Sequence, residues 1–268
     1  MKFFFINDRH KIFISRFLNF LGMNPSVFLK NISGLKWYFK DLSEIQKQLS
    51  KQDDFFISSY YPILSERKIE SGYINSHYFW QDFYVARRIF ENNPLKHVDI
   101  GSRIDGFVTH VASYREIELF DLRPLESHIE NVTFIQFDFS DEVSVIQDYC
   151  DSLSCLHVIE HFGLGRYGDK IDINAHIKGL NNIKKILKKG GRFYFSVPIG
   201  PQRIEFNAHR IFSIDYLIKI LSQDYIIDKL SIIDDKAKLH IDVKLSSDLL
   251  NSNFNCTYGC GIFELIKK

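Results

Sequence analysis

Past Pro94, short apolar runs alternate with longer stretches in which apolar residues return every three or four positions. The runs at 98–100, 118–120, 132–137, 153–156 and 192–197 predict strands. The stretches at 107–114 and 175–187 predict helices, and a further element at 143–149 falls between the third and fourth strands. Alternation of this kind means βαβ units, hence a parallel sheet with helices on both faces. A helix at 214–221 follows, and two apolar alternations at 225–233 and 261–266 predict closing strands.

Before Pro94 the pattern is helical. Apolar residues recur at helical spacing from Lys11 to about Leu49, with Pro25 and Gly34 as breaks, which predicts two or three helices. Turn signals at Tyr61-Pro62 and Ser71-Gly72 mark an irregular connection over 55–75, and a helix at 77–90 ends near Asn93-Pro94. The expected organisation is an N-terminal helical extension over 1–93 and an α/β domain over 94–268. The basic, Phe-rich stretch at 12–21 is expected to pack on its own domain rather than on a membrane surface.

Composition narrows the class. With 45% hydrophobic and 25% charged residues, 268 residues suffice for one α/β domain and an added element. A formal net charge of +1 gives no steering toward nucleic acid. The pairs Lys184-Lys185 and Lys188-Lys189 lie at the end of a predicted helix, before Gly190-Gly191, where positive charge suits the helix dipole. Cys150, Cys155, Cys256 and Cys260 match neither a disulfide scaffold nor a zinc spacing, so free thiols are expected. The apolar start is interrupted at Asp8, Arg9 and His10 before a signal-peptide core forms, and no apolar run is long enough for a membrane span. A cytoplasmic location is expected.

The chemistry begins at His97-Val98-Asp99-Ile100-Gly101-Ser102-Arg103-Ile104-Asp105-Gly106, a strand running into a glycine turn, with Asp121 ending the next strand about twenty residues on. A carboxylate at that place accepts hydrogen bonds from two ribose hydroxyls. A dinucleotide fingerprint would need glycine at 103 so that backbone can touch a pyrophosphate, and residue 103 is arginine. S-adenosylmethionine has no pyrophosphate, and the pattern therefore favours it over NAD or FAD. Asp138 and Phe139, after the third strand, add an acceptor for an adenine amino group and a ring to pack on its face. Each acid taken singly also suits a helix cap or a turn, and it is their coincidence at one sheet edge that marks a site.

After the fourth strand comes His157-Val158-Ile159-Glu160-His161, then a glycine-punctuated loop through Gly163, Gly165, Arg166, Tyr167, Gly168 and Asp169. His-x-x-Glu-His is the inverted zincin pattern, but that reading needs both histidines on one helix, and His157 directly follows a strand. A loop-packing role for Glu160 and His161 stands beside a functional one. Beyond the fifth strand, Glu205, Asn207, His209 and Arg210 fall on a loop expected to face the same pocket, and Ser213 is expected to cap the next helix.

At these residues the chain resembles the class I S-adenosylmethionine-dependent methyltransferases and, more narrowly, domain-of-unknown-function family 268. The narrow resemblance spans roughly residues 60–213 and rests on His77-Tyr78-Phe79-Trp80-Gln81-Asp82, the 98–107 turn, residues 157–169, and Phe206-Asn207-Ala208-His209-Arg210. It implies a Rossmann-like, doubly wound, seven-stranded methyltransferase sheet, with cofactor contacts at Asp99, Gly101, Asp121 and Asp138. Ser102 and Arg103 stand where the wider class has small residues, and they are counted with the cofactor loop. Members resembling this chain point to bacterial surface-polysaccharide pathways and a sugar hydroxyl as acceptor, an associational inference. Glu160-His161 also resembles the Glu-His pair of the ubiquinone O-methyltransferases, some of which hold a divalent metal there; with His157 in place of one of their carboxylates, no metal is expected.

The expected reaction is methyl transfer to an oxygen, with His157 or His209 as general base because imidazole titrates near neutrality. Glu160 and His161 would orient the neighbouring loop. Arg166 and Arg210 would hold a phosphate or carboxylate of a small-molecule or glycan acceptor, with Tyr167 and Asn207 beside them. Two other readings stay open: a non-catalytic nucleoside-binding module of the same fold, and a metal-dependent hydrolase using His157, Glu160 and His161.

Overall fold

The computed structural model of the chain describes residues 18, 22, 24–49, 55–67, 74, 76–139 and 147–268. They fall into two units, Met1–Tyr73 and Ile74–Lys268. All but residue 18 of the helix expected at 12–21, the turn at Ser71-Gly72 and most of the element at 143–149 lie outside the described residues.

In the first unit, helix α1 (Pro25–Leu49) starts where the Asn24 side chain accepts a hydrogen bond from the Val27 amide at 3.2 Å and Pro25 takes the first helical position. Gly34, expected as a break, lies inside the continuous helix. Its missing side chain makes room for another segment, since a Cβ there would sit 2.6 Å from the Leu64 carbonyl oxygen. The Arg67 guanidinium lies 4.1 Å from the Trp37 ring centroid and pairs with Asp41.

The second unit holds an α/β sheet. Its elements are α2 (His77–Asn92), β1 (His97–Ile100), α3 (Thr109–Ala112), β2 (Ile117–Asp121), β3 (Val132–Gln136), β4 (Cys150–Leu156), α4 (Ala175–Ile186) and β5 (Leu187–Ile199). Then follow β6 (Arg203–Glu205), β7 (His209–Ile211), α5 (Ile214–Leu221), β8 (Tyr225–Ile233), β9 (Leu239–His240), α6 (Ser247–Asn251) and β10 (Gly259–Lys267). The sheet order is β3-β2-β1-β4-β5-β10-β8-β9. The first five strands run parallel, and β10 inserts antiparallel between β5 and β8, with Phe263 opposite both Phe195 and Leu230. Seven strands were expected; the eighth is the two-residue β9 at the edge, too short to carry a periodic signal. Residues 203–211, expected as a loop, form the β6–β7 ribbon.

Both faces of the sheet are covered. On one, Ile183 and Ile186 of α4 and Leu217 and Leu221 of α5 bury against Phe193, Phe195 and Leu265. On the other, Val85 and Ile89 of α2 pack with Phe107, Val111, Leu119, Tyr194 and Ile262. Helix α2 was expected in the extension, yet it is part of the sheet's unit. Buried Glu264 on β10 fixes it there by accepting hydrogen bonds from Tyr84 Oη at 2.7 Å and Arg88 Nε at 3.0 Å. Among the described residues, no helix is long and apolar enough to cross a membrane.

Strand β1 carries two ionisable groups in a wholly buried run. His97 is hydrogen-bonded to Ser152 Oγ at 2.8 Å and Ser154 Oγ at 3.1 Å, and burial lowers its pKa to about 3. Asp99 accepts from Ser102 N at 2.9 Å, from Ser102 Oγ at 2.8 Å and from Ser154 Oγ, but burial outweighs these bonds and raises its pKa to about 7. Between the unfolded pKa values of Asp and His, the folded pair therefore keeps one proton, on Asp99, and the unfolded pair one, on His97. Their pH dependences cancel there. Asp99→Asn removes the term that loses stability as pH rises. Relative to the parent, its unfolding free energy should gain a slope of about 1.4 kcal/mol per pH unit between about pH 4.5 and 6. Urea melts across that window check this, and parallel stability curves would show that Asp99 is already ionised in the folded chain.

Candidate active site

The turn after β1 is built for close approach. Gly101 sits at φ +71°, donates to the Phe120 carbonyl at 2.7 Å, and would place a Cβ 2.7 Å from Val158 Cγ1. Asp99 and Ser102, expected as cofactor contacts, face inward and hold one another. Both are buried and neither lines the adjoining cavity, so they shape the turn from behind. Arg103 is turned out to solvent, its guanidinium paired with Asp105 and 5.8 Å from the Tyr78 ring centroid. An arginine fits this turn because its side chain leaves it sideways.

A cavity of about 290 Å³ opens over this turn, lined among others by Gly101, Arg103, Asp121, Asp138, Phe139 and Tyr167. Asp121 ends β2, where parallel pairing with β3 stops. Its Oδ1 accepts the Arg123 amide at 2.8 Å and its carboxylate pairs with the Arg123 guanidinium at 2.6 Å. Phe139 is buried against Phe137 and Phe120, with centroids 4.7 and 5.7 Å away, and its carbonyl accepts from Asn182. Each strand end thus brings both a ring and a carboxylate to the cavity, Phe120 and Asp121 from β2 and Phe137 and Asp138 after β3.

A second cavity of about 580 Å³ is lined by His77, His209, Tyr258, Glu160, Asp234 and Asp235, among others. Tyr78, His157, His161 and Arg166 line both cavities, so the two meet across these side chains. His157 directly follows β4 at φ +56°, a strained conformation for a residue with a Cβ, and its amide donates to Ser196 O at 3.0 Å. That conformation turns the ring toward Glu160, whose Oε1 lies 2.7 Å from His157 Nδ1. Nε2 of His157 and Oε2 of Glu160 are buried without hydrogen-bond partners. Burial works against charge on the ring, but Cys260 and Glu160 outweigh it and hold the His157 pKa well above the ordinary value. Glu160 is also costly to ionise by burial, and His157 brings its pKa down.

His77 stacks on His157, centroids 5.5 Å apart and planes 14° apart, and on its other side lies Tyr258 at 5.3 Å. Burial and the His157 charge lower the His77 pKa to about 4. His161 Nδ1 is hydrogen-bonded to the Ala208 carbonyl at 2.7 Å, to which Arg166 also donates at 3.0 Å. His161 therefore ties its turn to the β6–β7 ribbon. Residues 159–161 form one 3-10 turn, with Glu160 bonded to His157, so the two histidines do not share a helix face as the inverted zincin pattern requires.

His209 starts β7, packs at 5.4 Å on the Tyr258 ring, and has Nε2 buried with no hydrogen-bond partner, 3.8 Å from Glu205 Oε2. Burial lowers its pKa below the ordinary imidazole range, which favours the neutral ring. Arg210, expected to hold the acceptor, is buried instead and donates to the carbonyls of Phe162 and Ile173. It braces the loop after β4, because successive residues of a strand point to opposite faces and His209 takes the cavity side. Asn207 is exposed and lines neither cavity. Ser213 caps α5 as expected, accepting from the Tyr216 amide at 3.3 Å.

Sequence reading missed His77, Tyr78, Tyr258 and the Asp234-Asp235 pair. The first two stand in a motif that had been noted without a role; nothing local marked the others.

A family model described as "Caenorhabditis protein of unknown function, DUF268" matches residues 112–259. No curated protein matches the chain in sequence. Among solved structures, a Burkholderia thailandensis 1,6-didemethyltoxoflavin-N1-methyltransferase, with its substrate and S-adenosylhomocysteine bound, superposes at TM-score 0.51. Identity is 15%, over 70% of this chain and 78% of that one. The [4+2]-cyclase SpnF superposes at TM-score 0.50 with 11% identity, over 69% and 80%. The fold is thus one on which both a methyltransferase and a cyclase are built, and chemistry has to be argued from the site.

Proposed function

The chain belongs to the DUF268 family and has a class I methyltransferase fold, and from that premise we propose an S-adenosylmethionine-dependent O-methyltransferase. The observation that carries this reading is the pair of joined cavities. One has a strand-end carboxylate and an aromatic wall, the other a histidine with an unpartnered ring nitrogen.

The first cavity fits the cofactor. Gly101 offers bare backbone, Asp121 a carboxylate for the ribose hydroxyls, and Asp138 with Phe139 an acceptor and a ring for the base. Bound there, the cofactor would supply an electrophilic methyl group on a sulfonium. Tyr78, His157, His161 and Arg166 stand between the cavities and set the direction of approach, which is most of what such a transfer requires.

His209 takes the acceptor proton at Nε2, and Glu205 steadies the imidazolium that forms. Of the two candidate bases His209 suits the role better, because burial lowers its pKa while that of His157 is raised. Arg166 supplies positive charge to an acidic acceptor. The carboxylates and Arg166 lining the second cavity suit the hydroxyls of a sugar, and the acceptor we propose is a sugar hydroxyl of a bacterial surface polysaccharide. Four unpaired, buried thiols accord with a reaction in the cytoplasm.

Calorimetric titration of the full chain with S-adenosylhomocysteine tests the reading, followed by transfer of an isotopically labelled methyl group to sugar acceptors. Micromolar binding and label incorporation are expected; failure to bind at millimolar ligand would overturn it.

A further inference from the structure

Cys260 lies on β10 with its thiol buried beside the histidines of the second cavity. Ligand atoms of His77, His157 and Cys260 all lie within 4.8 Å of one another, a His₂Cys set drawn from helix α2, the residue after β4 and β10. We infer that these three side chains form a zinc-type metal site with its fourth position open to the second cavity.

Three observations carry this. First, the donors are of the right kind: thiolate and imidazole select zinc over magnesium or calcium, and three protein ligands with an open position are the pattern of catalytic rather than structural sites. A tetrahedral ion needs nitrogen at about 2.0–2.1 Å and sulfur at about 2.3 Å, so no pair of donors has to close by more than about 1.5 Å. Second, His157 is prepared as a ligand. Its Nδ1 is bonded to Glu160 Oε1 at 2.7 Å, which leaves Nε2, buried and without a hydrogen-bond partner, as the coordinating atom. A carboxylate behind a histidine in this way fixes ring orientation and raises ligand basicity. Third, an ion has a way in: His77 and His157 line the 580 Å³ cavity, while Cys260 closes the site from the sheet side.

Binding is an exchange of charge. The cation takes the place of the Cys260 thiol proton and of any proton on His157 Nε2, and both leave to solvent while the Nδ1–H···Oε1 bond persists. The open position would receive an oxygen of whatever occupies the cavity. The site does not depend on the methyltransferase reading, and its readout is the metal itself.

The test uses the full chain stripped with chelator and titrated with cobalt(II), then zinc(II), with metal content measured after desalting. One equivalent should bind, with a thiolate-to-cobalt charge-transfer band and the d–d intensity of a four-coordinate ion, and zinc should displace it. Cys260→Ser should abolish the charge-transfer band, and His77→Ala should lower zinc affinity at least about 100-fold. Because Cys260 is in the core, His77→Ala at the helix start is the variant less exposed to misfolding, and near-ultraviolet dichroism checks both. Glu160→Gln, a positioning change, should weaken zinc about 10- to 100-fold while retaining the charge-transfer band. No binding at equimolar metal, or binding that survives both ligand substitutions, overturns the site.

Discussion

Asp121→Ala should lower affinity for S-adenosylhomocysteine about 30- to 150-fold, the largest effect on binding expected of any substitution in the cofactor cavity. The carboxylate is only slightly exposed at the end of β2 and lines the cavity. Hydrogen bonds from a ribose diol to a charged acceptor contribute about 1.5–3 kcal/mol each. The full sum is not realised, because Asp121 already accepts from the Arg123 amide and guanidinium, so ligand hydroxyls exchange with existing partners. A net loss of about 2–3 kcal/mol gives the range stated. The same argument predicts that Arg123→Ala, which frees the carboxylate, leaves affinity within about threefold of the parent or improves it. Calorimetry on both variants decides. An Asp121→Ala protein that binds within threefold of the parent would remove Asp121 from the site.

His209→Ala should lower kcat about 10²- to 10⁴-fold, the contribution typical of a positioned general base, with cofactor affinity unchanged. The ring lines the second cavity only, which is why binding and turnover should separate. The pH profile carries a further signature. Burial, Arg166 and His157 lower the His209 pKa, while Glu205 and Glu160 raise it, and the lowering prevails. The acidic limb of the rate should therefore fall below pH 6.5, since a base with a depressed pKa stays unprotonated to lower pH. Glu205→Gln removes one raising charge and should shift that limb lower still. Single-turnover rates across pH measure this. If His209→Ala turns over at the parent rate, the proton goes elsewhere.

Much of this arrangement was legible along the chain. The alternation past Pro94 determined a parallel sheet with helices on both faces, because a strand buried on both sides and a helix buried on one need different apolar periods. Gly101 and Asp121 could be placed at one edge because both follow strands of that sheet, and the chain direction of parallel strands leaves their carboxyl ends together. Ser213 was recognisable as a cap from its position alone.

Other features depended on packing. Helix α2 reads as one amphipathic helix among several, and its place in the sheet's unit is decided by Tyr84 and Arg88 meeting Glu264, far along the sequence. Asp99 and Arg210 have the chemistry of ligand contacts, but the direction each side chain takes puts one behind the glycine turn and the other into the loop after β4. His77, His157, Tyr258 and Cys260 are brought together by the insertion of β10 between β5 and β8. Periodicity records which face of an element is buried, and that was enough to determine the layers of this protein. Which element it is buried against depends on the free energy of the whole packed sheet, so only the tertiary structure decided which side chains share a cavity.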